Sequence, residues 1–398
     1  MCAETNPLIL PEPTAELKQL SNELTRLIRQ KITDEGAISF AGYMEMALYT
    51  PGYGYYSAGL QKFGSGGDFV TSPGLGSLFA KCLAKQVEQV AAELDNYIII
   101  EAGAGTGQLA ADLLEALESD APPTRYLILE RSAHLRQVQK ETLQQQVPQW
   151  LDKVAWLDKP PEEPWQGVFL ANEVLDALTI ERFCVLNGEV RQLCVGLQDD
   201  EFTWQPSGCP EPLKERIDQL QNTLSKPLPE GYRSEINLDL PAWLQSVTHS
   251  MHKGVALFID YGYTREQYYS PDRTDGTLIC HYQHRAHGDP FSWPGLTDLS
   301  ASVDFTALAE AADLCELEVS GYTYQGMFLM GCGLDEVTSH YAELPAAELL
   351  GKTNEIRKLT LPGEMGERFQ VMALSRGLAE SVSENLRGFD FADWRDHL

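Results

Sequence analysis

Basic side chains are scarce. Thirty Lys and Arg stand against 58 Asp and Glu in 398 residues, a formal net charge of −28. A surface of that sign repels phosphate backbones, which argues against general nucleic-acid binding. The acid surplus reads as a solvated face, or as attraction for a basic, Arg-bearing protein. No apolar run approaches the roughly 20 residues that cross a bilayer as a helix, so no membrane association is expected. The eight cysteines (Cys2, Cys82, Cys184, Cys194, Cys209, Cys280, Cys315 and Cys332) contain no CxxC pair. A zinc ribbon or a disulfide framework would cluster them, and they read as reduced thiols. The opening residues carry Glu4, Glu12 and Glu16 but no early Lys or Arg, unlike a secretory signal or an Arg-rich presequence. From these features the sequence predicts a cytoplasmic protein. Apolar residues at 43% and charged residues at 22% exclude a disordered chain, a collagen and a coiled-coil rod.

What is present is a repeated alternation. Leu17, Leu20, Leu24, Leu27, Ile28 and Ile32 recur at helical steps after Thr14, a plausible N-cap. Residues 43–73 are rich in Gly, Tyr and turn formers, and Leu78–Leu94 reads as helix again. Short apolar runs at 97–100, 126–129, 154–157, 167–171 and 255–259 read as strands, with helices between the first of them. Such alternation implies a parallel, doubly wound α/β sheet. The polar clusters follow strand ends, where open α/β sheets bind ligands. Phe183–Leu197 reads as a hairpin about Asn187-Gly188, followed by helices at Pro212–Leu224 and Leu238–Ser250. Glu316–Gly331 and Arg368–Arg376 read as strands that complete the sheet antiparallel. The expected organisation is a helical and Gly/Tyr-rich cap (1–80), a first part of the core (81–180), an insertion (181–250), a second part of the core (251–378) with a substrate-side loop at 263–300, and a peripheral tail (379–398).

Glu101-Ala-Gly103-Ala-Gly105-Thr-Gly107 follows the first strand and opens a helix. Glycines there let a ligand approach the backbone, and a helix start offers free N–H groups to an anion. The dinucleotide fingerprint needs a sixth-position glycine, and Gln108 stands there. S-adenosylmethionine (SAM) has a carboxylate for the loop and two ribose hydroxyls for Glu130, which ends the second strand. Nicotinamide enzymes use a similar acid, so Glu130 alone does not decide. A tight turn with no ligand is the plain alternative.

Several segments carry a resemblance. They are Met44-x-x-Ala47-Leu48-Tyr49-x-Pro51-x-x-Gly54-Tyr55-Tyr56, Phe63-Gly64-x-x-Gly67-Asp68-Phe69-Val70-Thr71-Ser72-Pro73, the glycine loop, Glu130-x-Ser132-x-x-Leu135, Asn172-Glu173-Val174-Leu175-Asp176-Ala177-Leu178, Asp260-Tyr261-Gly262, Gly276-Thr277-Leu278, Pro294-Gly295-x-x-Asp298, Val303-Asp304-Phe305 and Met365-Gly366-Glu367-x-Phe369. In this order, from residue 44 to about 370, the sequence resembles the MidA-type SAM-dependent methyltransferases, related to a mitochondrial complex I assembly factor that methylates an arginine. Ser302 stands where members often carry His, and Gln370 where they often carry Lys.

The resemblance implies a class I methyltransferase (Rossmann-like) fold: a mostly parallel sheet with helices on both faces, an N-terminal cap and an inserted subdomain. It implies SAM as cofactor, held by Glu101, Gly103, Gly105, Gly107, Gln108 and Leu109, with Glu130 on the ribose and Trp156 and Leu157 near the adenine. Asn172 joins them, and Thr71, Ser72 and Pro73 close the site. The partner expected is a protein bearing arginine, with a homodimer left open. A guanidinium is protonated and a poor nucleophile, so carboxylates that accept from its other nitrogens would orient it. Glu173 and Asp176 are the candidates for that clamp, against the alternative that Asn172 and Asp176 cap a following helix.

Other residues have plainer readings. Asp68 holds its loop over the cofactor or forms a turn after Gly66-Gly67, and Asp260 lines the site or ends its strand. Tyr49, Tyr53, Tyr55 and Tyr56 suit aromatic packing, or a substrate channel. Trp243, Trp293 and Trp394 read as packing residues. His281, His284 and His287 lack further ligands at familiar spacing, so no metal is expected and a loop near the substrate mouth is. The rival functions are a small-molecule methyltransferase, a SAM-binding assembly factor with little catalysis, and a nicotinamide dehydrogenase.

Overall fold

Alternating strands and helices need a sheet to pack on, and the second of the chain's two units supplies it. The computed structural model describes residues 10–59, 72–117 and 122–398. Its contacts divide into one unit of Met1–Phe69, Ala177–Leu238 and Tyr269–Ala301, and another of Val70–Asp176, Asp239–Tyr268 and Ser302–Leu398. In the second unit the strands lie in the order Glu318–Tyr324, Phe369–Arg376, Met251–Tyr263, Trp165–Asn172, Ile98–Ala102, Arg125–Leu129 and Val154–Leu157. Neighbours from Met251–Tyr263 to Val154–Leu157 are parallel. Phe369–Arg376 runs antiparallel to both of its neighbours.

Both faces of this sheet are covered, which is why its central strands read as unbroken apolar runs rather than alternating ones. On one face Val168, Leu170, Val255, Leu257 and Ile259 join a core with Leu78, Leu83 and Val87 of helix Leu78–Ala91. Phe169 and Phe258 point the other way, onto Trp243 at 6.4 and 6.2 Å between ring centroids. Trp243 belongs to helix Leu240–Thr248, which the sequence reading placed in an insertion and which packs within this unit instead. Residues 325–331, expected to continue a strand, form a helix. The C-terminal tail is not peripheral: Leu386 and Phe389 are buried in the same core, and Gly388 N–H donates to Gln86 Oε1 at 2.9 Å.

The other unit holds helix Ala15–Glu35, with Thr14 Oγ1 accepting from Leu17 N–H, and helix Phe40–Tyr49. It also holds an antiparallel sheet in the order Glu201–Ser207, Glu189–Gln198, Glu181–Leu186, Arg233–Ile236 and a three-stranded sheet around Ile279–Tyr282. Asn187 and Gly188 take φ of 55° and 73°, the conformation that a two-residue hairpin turn requires. His281 and His287 stand on the two strands of a second hairpin, Ile279–Tyr282 and Arg285–His287, with His284 in its turn. Among the described residues no group of three His, Cys, Asp or Glu could hold a metal ion. Three of the four tyrosines pack: Tyr49 stacks on Tyr56 at 5.6 Å, Tyr55 meets Tyr56 edge-on, and the Tyr56 hydroxyl donates to Asp298 Oδ1, whereas Tyr53 is exposed. The described cysteines are all free thiols, and no helix among the described residues is long and apolar enough to cross a membrane.

Candidate functional site

Polar segments stand at the ends of neighbouring strands of the second unit. Strand Ile98–Ala102 runs into Gly103, Gly105 and Gly107, whose φ values of 62°, 51° and 81° are left-handed, and then into helix Gln108–Ala116. Space as well as φ demands glycine at two of these positions. A Cβ on Gly107 would stand 3.1 Å from Gln139 Cα, and one on Gly103 would stand 3.0 Å from Val174 Cγ2. The second close approach brings the segment after strand Trp165–Asn172 against the glycine loop.

Glu130 lies beside the loop at the end of strand Arg125–Leu129 and is 8% exposed. Its Oε1 accepts from Ser132 N–H at 2.8 Å and its Oε2 from Gln139 Nε2 at 3.2 Å. Burial raises its pKa, while the Ser132 and Gln139 hydrogen bonds pull it back. Gln139 was not singled out in the sequence. It is fully buried and also donates to the Gly105 carbonyl at 3.1 Å, while its Oε1 accepts from Trp156 Nε1 at 2.8 Å. One amide thus ties together the loop, the acid and the tryptophan expected near the adenine. The only sequence signal was a polar residue inside a helix.

Glu101 is 2% exposed and accepts from the Tyr126 hydroxyl at 2.7 Å. Burial, opposed by that hydrogen bond, pushes its pKa up from 4.5 to about 7. Between those pH values the folded state keeps a proton that the unfolded chain has lost. The stability linked to it is fully present below about pH 4.5 and is gone once the pH rises past about 7. Glu101→Gln is expected to remove this dependence. In urea unfolding without cofactor, the variant should gain on the order of 3 kcal/mol relative to wild type across that window. Parallel pH profiles for the two proteins would contradict it.

The remaining expected residues are placed unevenly. The Gln108 side chain donates to Asp112 Oδ1 and bonds Gln146, and Leu109 is buried in the core, so each offers the loop its backbone N–H. Ser72 opens the short helix Ser72–Leu75, which packs against helix Gln108–Ala116 and carries Pro73. Its hydroxyl donates to Gln325 Oε1 at 3.1 Å. Thr71 and Asp68 lie outside the described residues. Leu157 meets Glu130 through its carbonyl, which accepts from Glu130 N–H at 3.2 Å.

Asn172 ends its strand with its Nδ2 donating to Glu173 Oε1 at 3.1 Å, and its Oδ1 is buried with no partner among the described residues. Glu173 has φ of 55°. No helix follows, since residues 173–180 hold only bends, turns and irregular chain, so helix capping by Asn172 or Asp176 does not apply. Instead the amides of Val174, Leu175 and Asp176 all donate to Asp260 Oδ2.

These donors and acceptors fit SAM. The Glu130 carboxylate has lone pairs left after its two bonds and can accept from ribose hydroxyls. The left-handed loop and helix start suit a carboxylate, and the unpartnered Asn172 Oδ1 suits an ammonium.

Comparison with known proteins agrees. The family described as “Putative S-adenosyl-L-methionine-dependent methyltransferase” matches residues 78–323. A crystal structure of a superfamily member from Burkholderia thailandensis bound to S-adenosyl-homocysteine superposes with a TM-score of 0.90. The two are 37% identical over 98% of this chain and all of that one. Among curated proteins, the mitochondrial protein arginine methyltransferase NDUFAF7 homolog of Drosophila melanogaster is 27% identical, over 92% of this chain and 88% of the relative. The mitochondrial NDUFAF7 protein of Mus musculus is also 27% identical, over 94% and 93%. Their mitochondrial names overturn the cytoplasmic expectation, which rested on the acidic opening residues, composition and cysteine usage.

Proposed function

Since the chain belongs to the S-adenosyl-L-methionine-dependent methyltransferase family, we propose that it methylates arginine in a protein substrate. The observation that carries this reading is the pair of carboxylates Glu173 and Asp176 on a segment that meets the glycine loop at Gly103. Relatives named as protein arginine methyltransferases support it. When bound, SAM supplies an electrophilic methyl group on a sulfonium.

The chain's own residues supply binding and alignment. The amides around Gly103, Gly105 and Gly107 and the start of helix Gln108–Ala116 would receive the carboxylate end. Glu130 would accept from the ribose hydroxyls, Trp156 and Leu157 would stand on the side of the base, and Asn172 Oδ1 would accept from the amino group. Glu173 and Asp176 accept from the guanidinium N–H groups that do not react. That fixes the plane of the group and turns one nitrogen toward the methyl. Alignment of this kind can contribute on the order of 7–11 kcal/mol to a two-reactant step. The same carboxylates are at hand for the proton that the methylated guanidinium gives up.

The test is transfer of labelled methyl from SAM to a cell lysate, resolved into a gel and a small-molecule extract. Label is expected in a protein band. Label confined to the extract would point to a metabolite substrate, and binding without transfer to an assembly role; either would overturn the proposal.

A further inference from the structure

Glu173 and Asp176 act as a clamp only if the segment that carries them is held still, and residues 173–180 have no helix or strand of their own. One carboxylate supplies the hold. Asp260 Oδ2 accepts from three consecutive backbone amides, Val174 at 3.1 Å, Leu175 at 2.8 Å and Asp176 at 3.2 Å. Its Oδ1 accepts from Tyr261 N–H at 2.8 Å. Asp260 is 1% exposed and sits in strand Met251–Tyr263, opposite Gln370 in the antiparallel register. Glu173 N–H donates to the Ile259 carbonyl at 2.9 Å, so the same strand anchors both ends of the turn.

We propose that Asp260 is the positioning residue of methyl transfer: it gathers the amides of residues 174–176 on one oxygen and thereby aims Glu173 and Asp176 at the substrate. The proposal rests on the clamp reading above. Its physical basis is the donor count. A carboxylate is an acceptor on both oxygens, whereas an asparagine amide presents N–H groups on one side. Three N–H donors meet one oxygen and the fourth meets the other, so both oxygens must accept, and an Asn would face Tyr261 N–H with its own NH2. Burying a carboxylate is costly unless its hydrogen bonds are complete. A turn with only a connecting role needs no such group.

Asp260→Leu keeps much of the volume and removes both acceptor oxygens, whereas an Asn could leave its oxygen on the three amides and set its NH2 against Tyr261 N–H alone. In the full-length protein, amide hydrogen exchange over residues 173–177 is expected to quicken at least about tenfold, as the protecting bonds are lost. SAM affinity by calorimetry should stay within about twofold, because the glycine loop and Glu130 are untouched. The turnover rate should fall about 100-fold, the scale of a displacement near 1 Å at a reacting centre. A variant that merely unfolded would lose SAM binding as well. Asp260→Ser, which shortens the side chain and removes the charge, is read the same way if the Leu variant does not fold. Wild-type exchange in a folded, SAM-binding variant would overturn the proposal. So would lost protection with turnover unchanged. If the wild type labels a small molecule rather than protein arginine, the proposed substrate fails, and the Asp260 comparison is made on that product.

Discussion

Glu173→Gln is expected to reduce methyl transfer on the order of 100- to 1000-fold while leaving SAM affinity within about twofold of wild type. The magnitude is that of removing one preorganised polar group aimed at a reacting centre. The substitution is nearly isosteric, and the backbone at φ of 55° is as acceptable to Gln as to Glu. The Asn172 Nδ2 bond survives on the amide oxygen. What changes is the second oxygen, which becomes a donor and faces the donors of a guanidinium. Calorimetry and a transfer assay on the same preparation separate the two effects. Transfer at the wild-type rate with SAM binding intact would remove Glu173 from the clamp.

Gly105→Val is expected to abolish measurable cofactor binding, a loss of at least about 100-fold in affinity, or nearly 3 kcal/mol. Two costs combine. The residue has φ of 51°, where an L side chain costs roughly 1–2 kcal/mol and a β-branched one is a severe outlier. The side chain would also fill space on the loop that the cofactor needs. The Gly105 carbonyl accepts from Gln139, so a shift of this residue disturbs the contacts that Gln139 makes with Glu130 and Trp156. Calorimetry with SAM and S-adenosylhomocysteine checks the result. Unaltered affinity would contradict the assignment of the loop.

Much of the framework that carries the candidate site was legible because its signals are local. The strands that carry Glu101, Asn172 and Asp260 or lead into Glu130 show as apolar runs, and the glycines mark backbone that must turn left-handed. Asn187-Gly188 marked its hairpin for the same reason. Short strands were harder. Glu201–Ser207 contains Pro206, and Arg233–Ile236 has four residues, too few for a period-two pattern to stand out. Helix Phe40–Tyr49 was masked by the Gly- and Tyr-rich composition that begins within it.

Of the supporting groups, Asp260 stood out only as a polar residue at a strand end and Gln139 not at all, and the partners of neither were legible. Gln139 matters through partners 9, 17 and 34 residues away, and Asp260 through amides 84 to 86 residues away. Which backbone N–H groups a buried acceptor satisfies is decided by tertiary packing, and no residue pattern near Asp260 announces it. The helix Leu240–Thr248 was misassigned for a related reason. Its apolar face is plain in the sequence, but nothing local says that Trp243 packs on Phe169 and Phe258.

The most direct measurement is identification of the methylated residue. Protein labelled by the wild-type chain and radioactive SAM is hydrolysed, and the labelled amino acid is identified by mass spectrometry. Methylarginine is predicted, and it should be absent when Glu173→Gln replaces the wild type. Label on lysine, on a carboxyl group or on a free metabolite would contradict the account.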